Sequence, residues 1–210
     1  MIVSLAEKAE HEISYFARED RAVRALAAGE SVLLVDEGRI VLMGCAGTAT
    51  AAQIAFMVRH TSGFLQVALH EDVCDRLLLP EAVPTSRSAS FSLGQCVAVD
   101  AAVGTTTGIS GADRARTARV LSSPTSIADD LTRPGHLVPV RVSPTPHEGH
   151  LTIAAVALNL ADLALPAHSG AVFADLEGVE DPTRSATVDE ALFFARRHGL
   201  TTIGSPAYSV

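Results

Sequence analysis

The sequence predicts a single α+β domain in which helices surround a mixed β-sheet. Apolar segments with the spacing of strands and of helices alternate irregularly along the 210 residues, without a repeating βαβ unit. The chain also shows no glycine-rich dinucleotide fingerprint, no internal repeat and no low-complexity linker. We therefore expect one domain over residues 1–210, in which residues 1–20 form an N-terminal extension.

In the first half of the chain, helices and strands are expected in alternation. Residues 21–29 place apolar side chains at helical spacing and end at Gly29, a natural stop for a helix. The aliphatic segment 31–35 is bounded by glycine and acidic residues, as buried strands often are. The same rules predict a strand at 40–43, a helix at 50–60, a strand at 64–69, a helix at 71–78 and a strand at 90–100.

In the second half, a loop rich in threonine and glycine at 104–108 comes before a helix at 112–121. Asp113 lies in the first turn of that helix, where the positive end of the helix dipole favours a carboxylate. The alternating apolar pattern then predicts a strand at 137–142 that ends before Pro144. The remaining elements are expected as a helix at 151–165, a strand at 171–176, a helix at 188–198 and a strand at 201–203.

The composition excludes several classes of partner. The formal net charge of -8 and the pI near 5.4 disfavour binding to nucleic acid, which needs a basic surface. The sequence has no uncharged apolar run of about 18 residues, so no membrane span is expected. Acidic and basic residues occur within the first ten positions, which disfavours a signal peptide. These features predict a cytoplasmic protein that acts on a small molecule.

The hydrophobic content predicts how the chain assembles, and the spacing of the cysteines bears on disulfides and zinc binding. Hydrophobic residues make up 48% of the chain and the mean hydropathy is +0.27, which is high for a soluble monomer. We therefore expect a homodimer that buries the surplus apolar surface, with the site near the subunit interface. The three cysteines are widely spaced without a CxxC pattern, so neither a disulfide framework nor a zinc site is predicted.

Three motifs point to a family. Gly104–Arg114 reads GTTTGISGADR, Arg133–His136 reads RPGH, and Arg59–Gly63 reads RHTSG. Together they resemble 3,4-dihydroxy-2-butanone 4-phosphate synthase of riboflavin biosynthesis, whose motifs are close to GVTTGxSAADR, RPGH and RHGSG. The resemblance covers roughly residues 20 to 205. It implies that family's α+β fold, its dimer and a lyase reaction that depends on Mg²⁺.

The resemblance assigns roles to several residues. His136 occupies the position of an essential family histidine that acts in acid/base catalysis; the alternative is a turn at Pro134-Gly135 that His136 caps. Asp175 stands where the family has an essential glutamate, and it is one methylene shorter, so a plain strand-end acid is the alternative. Thr105, Thr106 and Thr107 lie where the family loop lines the substrate pocket; the alternative is a loop that only turns the chain.

The acidic metal-binding loop of the family is degenerate in this sequence. Where the family reads close to DEDRENEGD, this chain keeps Asp36, Glu37 and Arg39 but lacks the later carboxylates, and about four residues are missing. His150 matches the second metal ligand of the family's GHTEA motif, but Leu-Thr-Ile follows it. A hard cation such as Mg²⁺ prefers several oxygen ligands, including carboxylates. We therefore expect no cofactor, or Mg²⁺ held by His150 with Glu37 if the metal site persists.

The phosphate contacts implied by the family are also weakened. An arginine before the metal-binding histidine and a threonine after it are replaced by His147 and Leu151. Arg39 is the anion contact that remains. His147 and His150 form a His-x-x-His pair, for which a transition metal is the alternative to Mg²⁺. The predicted catalytic residues are His136, His150 and Asp175, and the predicted substrate contacts are Asp36, Glu37, Arg39, Thr105, Thr106, Thr107 and His147.

Three functions remain open. The first, placed ahead here, is a repurposed enzyme that carries out metal-independent lyase, isomerase or cyclase chemistry on a hydroxyketone or enone in specialised metabolism. The second is an authentic synthase that converts ribulose 5-phosphate into 3,4-dihydroxy-2-butanone 4-phosphate and formate. The third is a non-catalytic dimeric homologue that only binds a ligand.

Overall fold

The strands of the protein are β1 (Val32–Asp36), β2 (Arg39–Cys45), β3 (Gln66–His70), β4 (Val99–Ala101), β5 (Leu131–Val142), β6 (Ala171–Asp175) and β7 (Thr201–Gly204). The helices are α1 (residues 19–27), α2 (Ala51–His60), α3 (Glu71–Arg76), α4 (Gly111–Ser122), α5 (Ile153–Ala164) and α6 (Val188–His198). They are taken from a computed structural model, which describes residues 19–36, 39–82, 94–143 and 152–204.

The seven strands form one mixed sheet in the order β4-β5-β3-β6-β2-β1-β7. The β3·β5 and β1·β7 pairs are parallel, and the other neighbours are antiparallel. This confirms the predicted α+β class, the single domain and the mixed sheet. Of the predicted N-terminal extension, residues 1–18 lie outside the described residues.

Helices cover both faces of the sheet. Ile54 of α2, Ala118 of α4 and Phe194 of α6 belong to the apolar core on one face. Leu26 of α1 and Leu158 of α5 belong to the core on the other face. Alternate residues of the central strands feed the two cores, because successive strand side chains point to opposite faces. Burial on both sides explains why these strands read as continuous aliphatic runs.

Hydroxyl side chains begin four of the helices. Thr50, Ser110, Thr152 and Thr187 each accept a hydrogen bond from the backbone N–H three residues later. Such an N-cap satisfies a backbone donor that the first turn of a helix leaves unpaired, which is worth about 1 kcal/mol. The caps therefore fix where α2, α4, α5 and α6 start.

Strand β5 starts earlier than predicted, whereas β4 (Val99–Ala101) covers only the end of the strand predicted at 90–100. Strand β5 begins at Leu131, six residues before the predicted start, so the RPGH motif lies within the range of the strand. Proline and glycine hid this segment, because both are poor strand residues. They are tolerated here because β5 bulges at this point: Val99 of β4 is in register with Leu137 and Asp100 with Thr132, so residues 133–136 have no register partner in β4.

The three cysteines are free and buried. Burial raises the pKa of the Cys45 thiol to about 11, so this sulfur is protonated near neutral pH and is a poor nucleophile. No helix in the described part of the chain has both the length and the apolar character needed to cross a membrane.

Candidate active site

The catalytic histidine predicted from the sequence is held by a buried carboxylate. Nδ1 of His136 lies 2.8 Å from Oδ2 of Asp100, and the backbone N–H of His136 donates to Oδ1 at 3.0 Å. The Asp100 side chain is 11% exposed, whereas the His136 ring is 37% exposed and accessible to a ligand. Because the carboxylate accepts from Nδ1–H, the neutral ring presents its lone pair on Nε2. Nε2 is thus placed to act as a base.

Two glycines allow the Asp100–His136 pair to form. A Cβ at Gly108, where φ is +83°, would lie 2.0 Å from Oδ2 of Asp100 and 2.6 Å from Nδ1 of His136. A Cβ at Gly135 would lie 1.9 Å from the carbonyl carbon of Val99. Both positions need glycine because the loop after β4 and the start of β5 pack directly on the pair. The motif glycines therefore serve the geometry of the histidine.

A buried arginine lies close to the Asp100 carboxylate. The Nη1 group of Arg114 donates to the Gly63 carbonyl at 3.2 Å, and its Nε has no partner among the described residues. Burial lowers the pKa of Arg114, and the negative charge of Asp100 opposes that shift. The charge of Arg114 offsets part of the cost of burying Asp100.

The second pair of the site joins two residues that the sequence predicted separately. The Arg39 guanidinium donates to both carboxylate oxygens of Asp175, from Nε at 2.6 Å and from Nη2 at 2.9 Å. This bidentate geometry is the strong form of an arginine–carboxylate bond, and it raises the pKa of Arg39. The side chains are 44% and 33% exposed, so both remain accessible. Asp36 is in register with Arg39 across β1 and β2.

The two pairs lie on one face and at one level of the sheet. Gln66 of β3 is in register with Val138 of β5 and with Phe173 of β6. His136 lies two residues before the first of these partners, and Asp175 lies two residues after the second. Since β5 runs parallel and β6 antiparallel to β3, the two residues share a level, and the strand period of two puts them on the same face. Two strand spacings separate their backbones by about 10 Å.

The threonine loop is held mainly by the first turn of α4. Asp113 accepts hydrogen bonds from Thr106 N at 3.1 Å, from Thr106 Oγ1 at 2.8 Å and from Gly108 N at 3.2 Å. Thr105 Oγ1 donates to the Ala101 carbonyl at 2.8 Å. The hydroxyls of Thr105 and Thr106 are thus engaged by the protein. Thr107 is exposed and is the member of the predicted trio whose hydroxyl is open to a ligand.

Replacing Asp113 by alanine should destabilise the protein, with a fall in Tm of about 5 °C, because two loop amides and one hydroxyl lose their acceptor. The hydrogen bonds from Thr106, the largest cause, hold the pKa of Asp113 below 3.8. Its contribution to stability is therefore present above that pH and is lost as the pH falls through the lower, folded pKa. Thermal melts should show a deficit near neutral pH that shrinks in acid. An Asp189→Ala variant, which changes an exposed first-turn aspartate of α6, is the control; an equal deficit there would contradict the role of the loop.

Three predicted site residues, Glu37, His147 and His150, lie outside the described residues. The described residues alone do not fit a magnesium ion. Both oxygens of Asp175 are occupied by Arg39, and no group of three His, Cys, Asp or Glu side chains is placed to hold a metal in this part of the chain. The predicted metal ligands and phosphate contacts therefore stay predictions.

Sequence reasoning missed Asp100 and the pairing of Arg39 with Asp175. Asp100 was read only as the last residue of a strand. The available signal was a carboxylate at a strand end directly before the matched loop Gly104–Arg114. A buried acid in that place needs a partner, because an unpaired buried carboxylate is costly.

The fold and the site define an α+β protein with acid/base groups aligned along one face of a mixed sheet. The family model for 3,4-dihydroxy-2-butanone 4-phosphate synthase matches residues 20–205, and the chain belongs to this family. The riboflavin biosynthesis protein RibBA of Mycobacterium tuberculosis H37Rv is 42% identical over 192 residues, and that of Rhodococcus erythropolis is 41% identical over 191. These matches cover 88% of this chain and 44% of each relative, so the chain spans less than half of their length.

Solved structures support the same family assignment. A 3,4-dihydroxy-2-butanone 4-phosphate synthase of Candida albicans superposes with a TM-score of 0.79 at 31% identity, covering 88% of this chain and 92% of that one. A synthase in complex with two magnesium ions gives a TM-score of 0.78, also at 31% identity, over 88% of this chain and 91% of that one. The likeness extends over nearly the whole of both structures. This likeness favours the authentic synthase over the repurposed enzyme, which was the first hypothesis from the sequence.

Proposed function

We propose that the chain catalyses the lyase reaction of its family, in which ribulose 5-phosphate yields 3,4-dihydroxy-2-butanone 4-phosphate and formate. The Asp100–His136 pair is the observation that carries this proposal. The reaction begins with removal of a proton next to a ketone, which needs a base in hydrogen-bond reach of that carbon. A histidine whose Nδ1 is fixed by a buried carboxylate supplies such a base at Nε2.

The other groups on this face of the sheet support the same chemistry. Asp175 lies on the same face about 10 Å away, a separation that leaves room for a small sugar phosphate between the two groups. Arg39 orients Asp175 through two hydrogen bonds, and it adds positive charge where enediolate oxygens develop. The open hydroxyl of Thr107 adds a donor for the substrate at the loop after β4. Magnesium, when bound in such enzymes, supplies further positive charge at the enediolate.

A formate-release assay tests the proposal directly. The purified chain with ribulose 5-phosphate and MgCl₂ should release one formate per 3,4-dihydroxy-2-butanone 4-phosphate formed. A formate dehydrogenase coupled assay measures the first product and NMR identifies the second. Release no faster than in enzyme-free buffer, with or without MgCl₂, would sink the proposal.

The Arg39–Asp175 pair favours a second candidate, the repurposed enzyme. It occupies both oxygens of a carboxylate that is a glutamate in the family, beside a shortened acidic loop. The Asp175→Glu variant separates the two functions. It restores the family residue, so an authentic synthase should keep or gain formate release, whereas a site adapted to the shorter acid should lose its activity. Asp162→Glu is the matched control, because Asp162 forms a hydrogen-bonded pair of similar exposure with His70.

A further inference from the structure

A second cleft lies on the opposite face of the sheet from the candidate active site. It has a volume of about 340 Å³ and is formed by the C-terminal ends of α2 and α6 and by the segment after β6. Its lining includes four basic side chains, Arg59, His60, Arg197 and His198. Phe194 in its wall belongs to the core on that face, whereas the strand period puts Asp175 on the other face.

Aromatic rings form one wall of the cleft. The rings of His60 and His198 are 5.1 Å apart, and Phe194 lies 5.2 Å from the first and 4.4 Å from the second. Phe56 closes the cluster at 4.7 Å from His60. The neighbouring Phe193 also lines the cleft and is 51% exposed, so it adds accessible aromatic surface to this wall.

The basic groups of the cleft repel one another. Burial is the largest cause that lowers the pKa of His60, and the charges of His198, Arg59 and Arg197 lower it further. Neither guanidinium forms a salt bridge with the described residues, and Glu177 is the acid among those that line the cleft. All four basic residues lie in the last turns of α2 and α6, where the negative end of the helix dipole favours a cation, and the packing of these two helix ends brings them together at one cleft. A bound anion would relieve this repulsion.

We propose that the cleft binds a small phosphorylated aromatic compound of mononucleotide size. Arginine side chains recognise phosphate through charge-assisted, bidentate hydrogen bonds. The ring of the ligand stacks on the aromatic wall, a contact worth about 1–3 kcal/mol per base in nucleotide-binding proteins. The volume lies at the lower end of the range for small-molecule sites, which suits one phosphate and one ring system.

AMP is the probe for this site. Adenosine, which lacks the phosphate, and ribose 5-phosphate, which lacks the adenine ring, are the comparison ligands. In calorimetry, AMP should bind about tenfold more tightly than adenosine or ribose 5-phosphate. Arg197→Gln should weaken AMP binding by about tenfold or more. Arg196→Gln, on the same turn but outside the cleft lining, should leave it unchanged. Equal affinity in the Arg197 and Arg196 variants, or no AMP binding, would overturn the proposal.

Histidine NMR locates the bound AMP and separates this site from the catalytic one. AMP should shift the ring signals of His60 and His198 and leave those of His136 in place. Shifts at His136 alone would mean that AMP occupies the active site, and the proposal would fail while the synthase activity stands. Because the anion favours protonated His60, AMP binding should take up protons at a pH of about 7.5, where the AMP phosphate is still doubly ionised. Binding without proton uptake at this pH would contradict the role given to this histidine.

Discussion

Replacing His136 by alanine should lower kcat for formate release by about 10²- to 10⁴-fold, the usual contribution of a positioned acid/base group. The ring supplies Nε2 as the base. Among the described residues, no other histidine lies at the same level on this face of the sheet. Because the His136 side chain is 37% exposed, its loss leaves no large cavity and the fold should persist. Turnover of ribulose 5-phosphate measures the effect, and circular dichroism checks the fold.

Asp100→Asn tests whether the carboxylate positions the histidine. The amide keeps the shape but removes the charged acceptor for Nδ1–H, so a loss on the order of a hundredfold in kcat is expected. A purely structural role would not change the tautomer of His136, which ¹⁵N NMR reports directly. His70→Ala is the control, since His70 also pairs with an aspartate, Asp162, at 2.6 Å. Comparable losses in His70→Ala and His136→Ala would assign the effect to general destabilisation.

The fold was predictable because its signals are local. Aliphatic runs such as Val32–Asp36 and the helical spacing within Ala51–His60 identify elements that are buried on one or both faces. Their boundaries also follow local chemistry, since Thr50 and Thr187 cap their own helices. The start of β5 was missed because Pro134 and Gly135 lie in a bulge opposite the edge strand β4, where residues of low strand propensity are tolerated.

The site was predictable only in its parts. The motif singled out His136, and the family resemblance singled out Arg39 and Asp175, but nothing local predicts that the last two join across 136 positions. The pairing arises from the neighbouring strands β2 and β6, which is a property of the sheet. Asp100 was missed for the same reason, because its partner lies 36 residues further along the chain. Long-range pairs of this kind depend on topology, which spacing alone does not encode.

Gly135→Ala should damage both stability and catalysis, through the contact between β4 and β5. The added Cβ would lie 1.9 Å from the Val99 carbonyl carbon and 2.3 Å from the Asp100 amide nitrogen. These are backbone atoms, so relief requires the two strands to separate, and overpacking of this kind costs about 1–3 kcal/mol or more. The same movement draws Asp100 away from His136. The midpoint of urea denaturation and kcat for formate release should therefore both fall.

A matched glycine variant separates this crowding from backbone strain. Gly29 has φ of +80° and no atom within 4 Å of an added Cβ, so Gly29→Ala should cost about 1–2 kcal/mol through conformation alone and leave kcat unchanged. If Gly135→Ala acts through the Asp100–His136 pair, its effect on kcat should largely disappear in the Asp100→Asn background, because both changes then remove one interaction. Additive losses in the double variant would mean that Gly135 supports catalysis by another route.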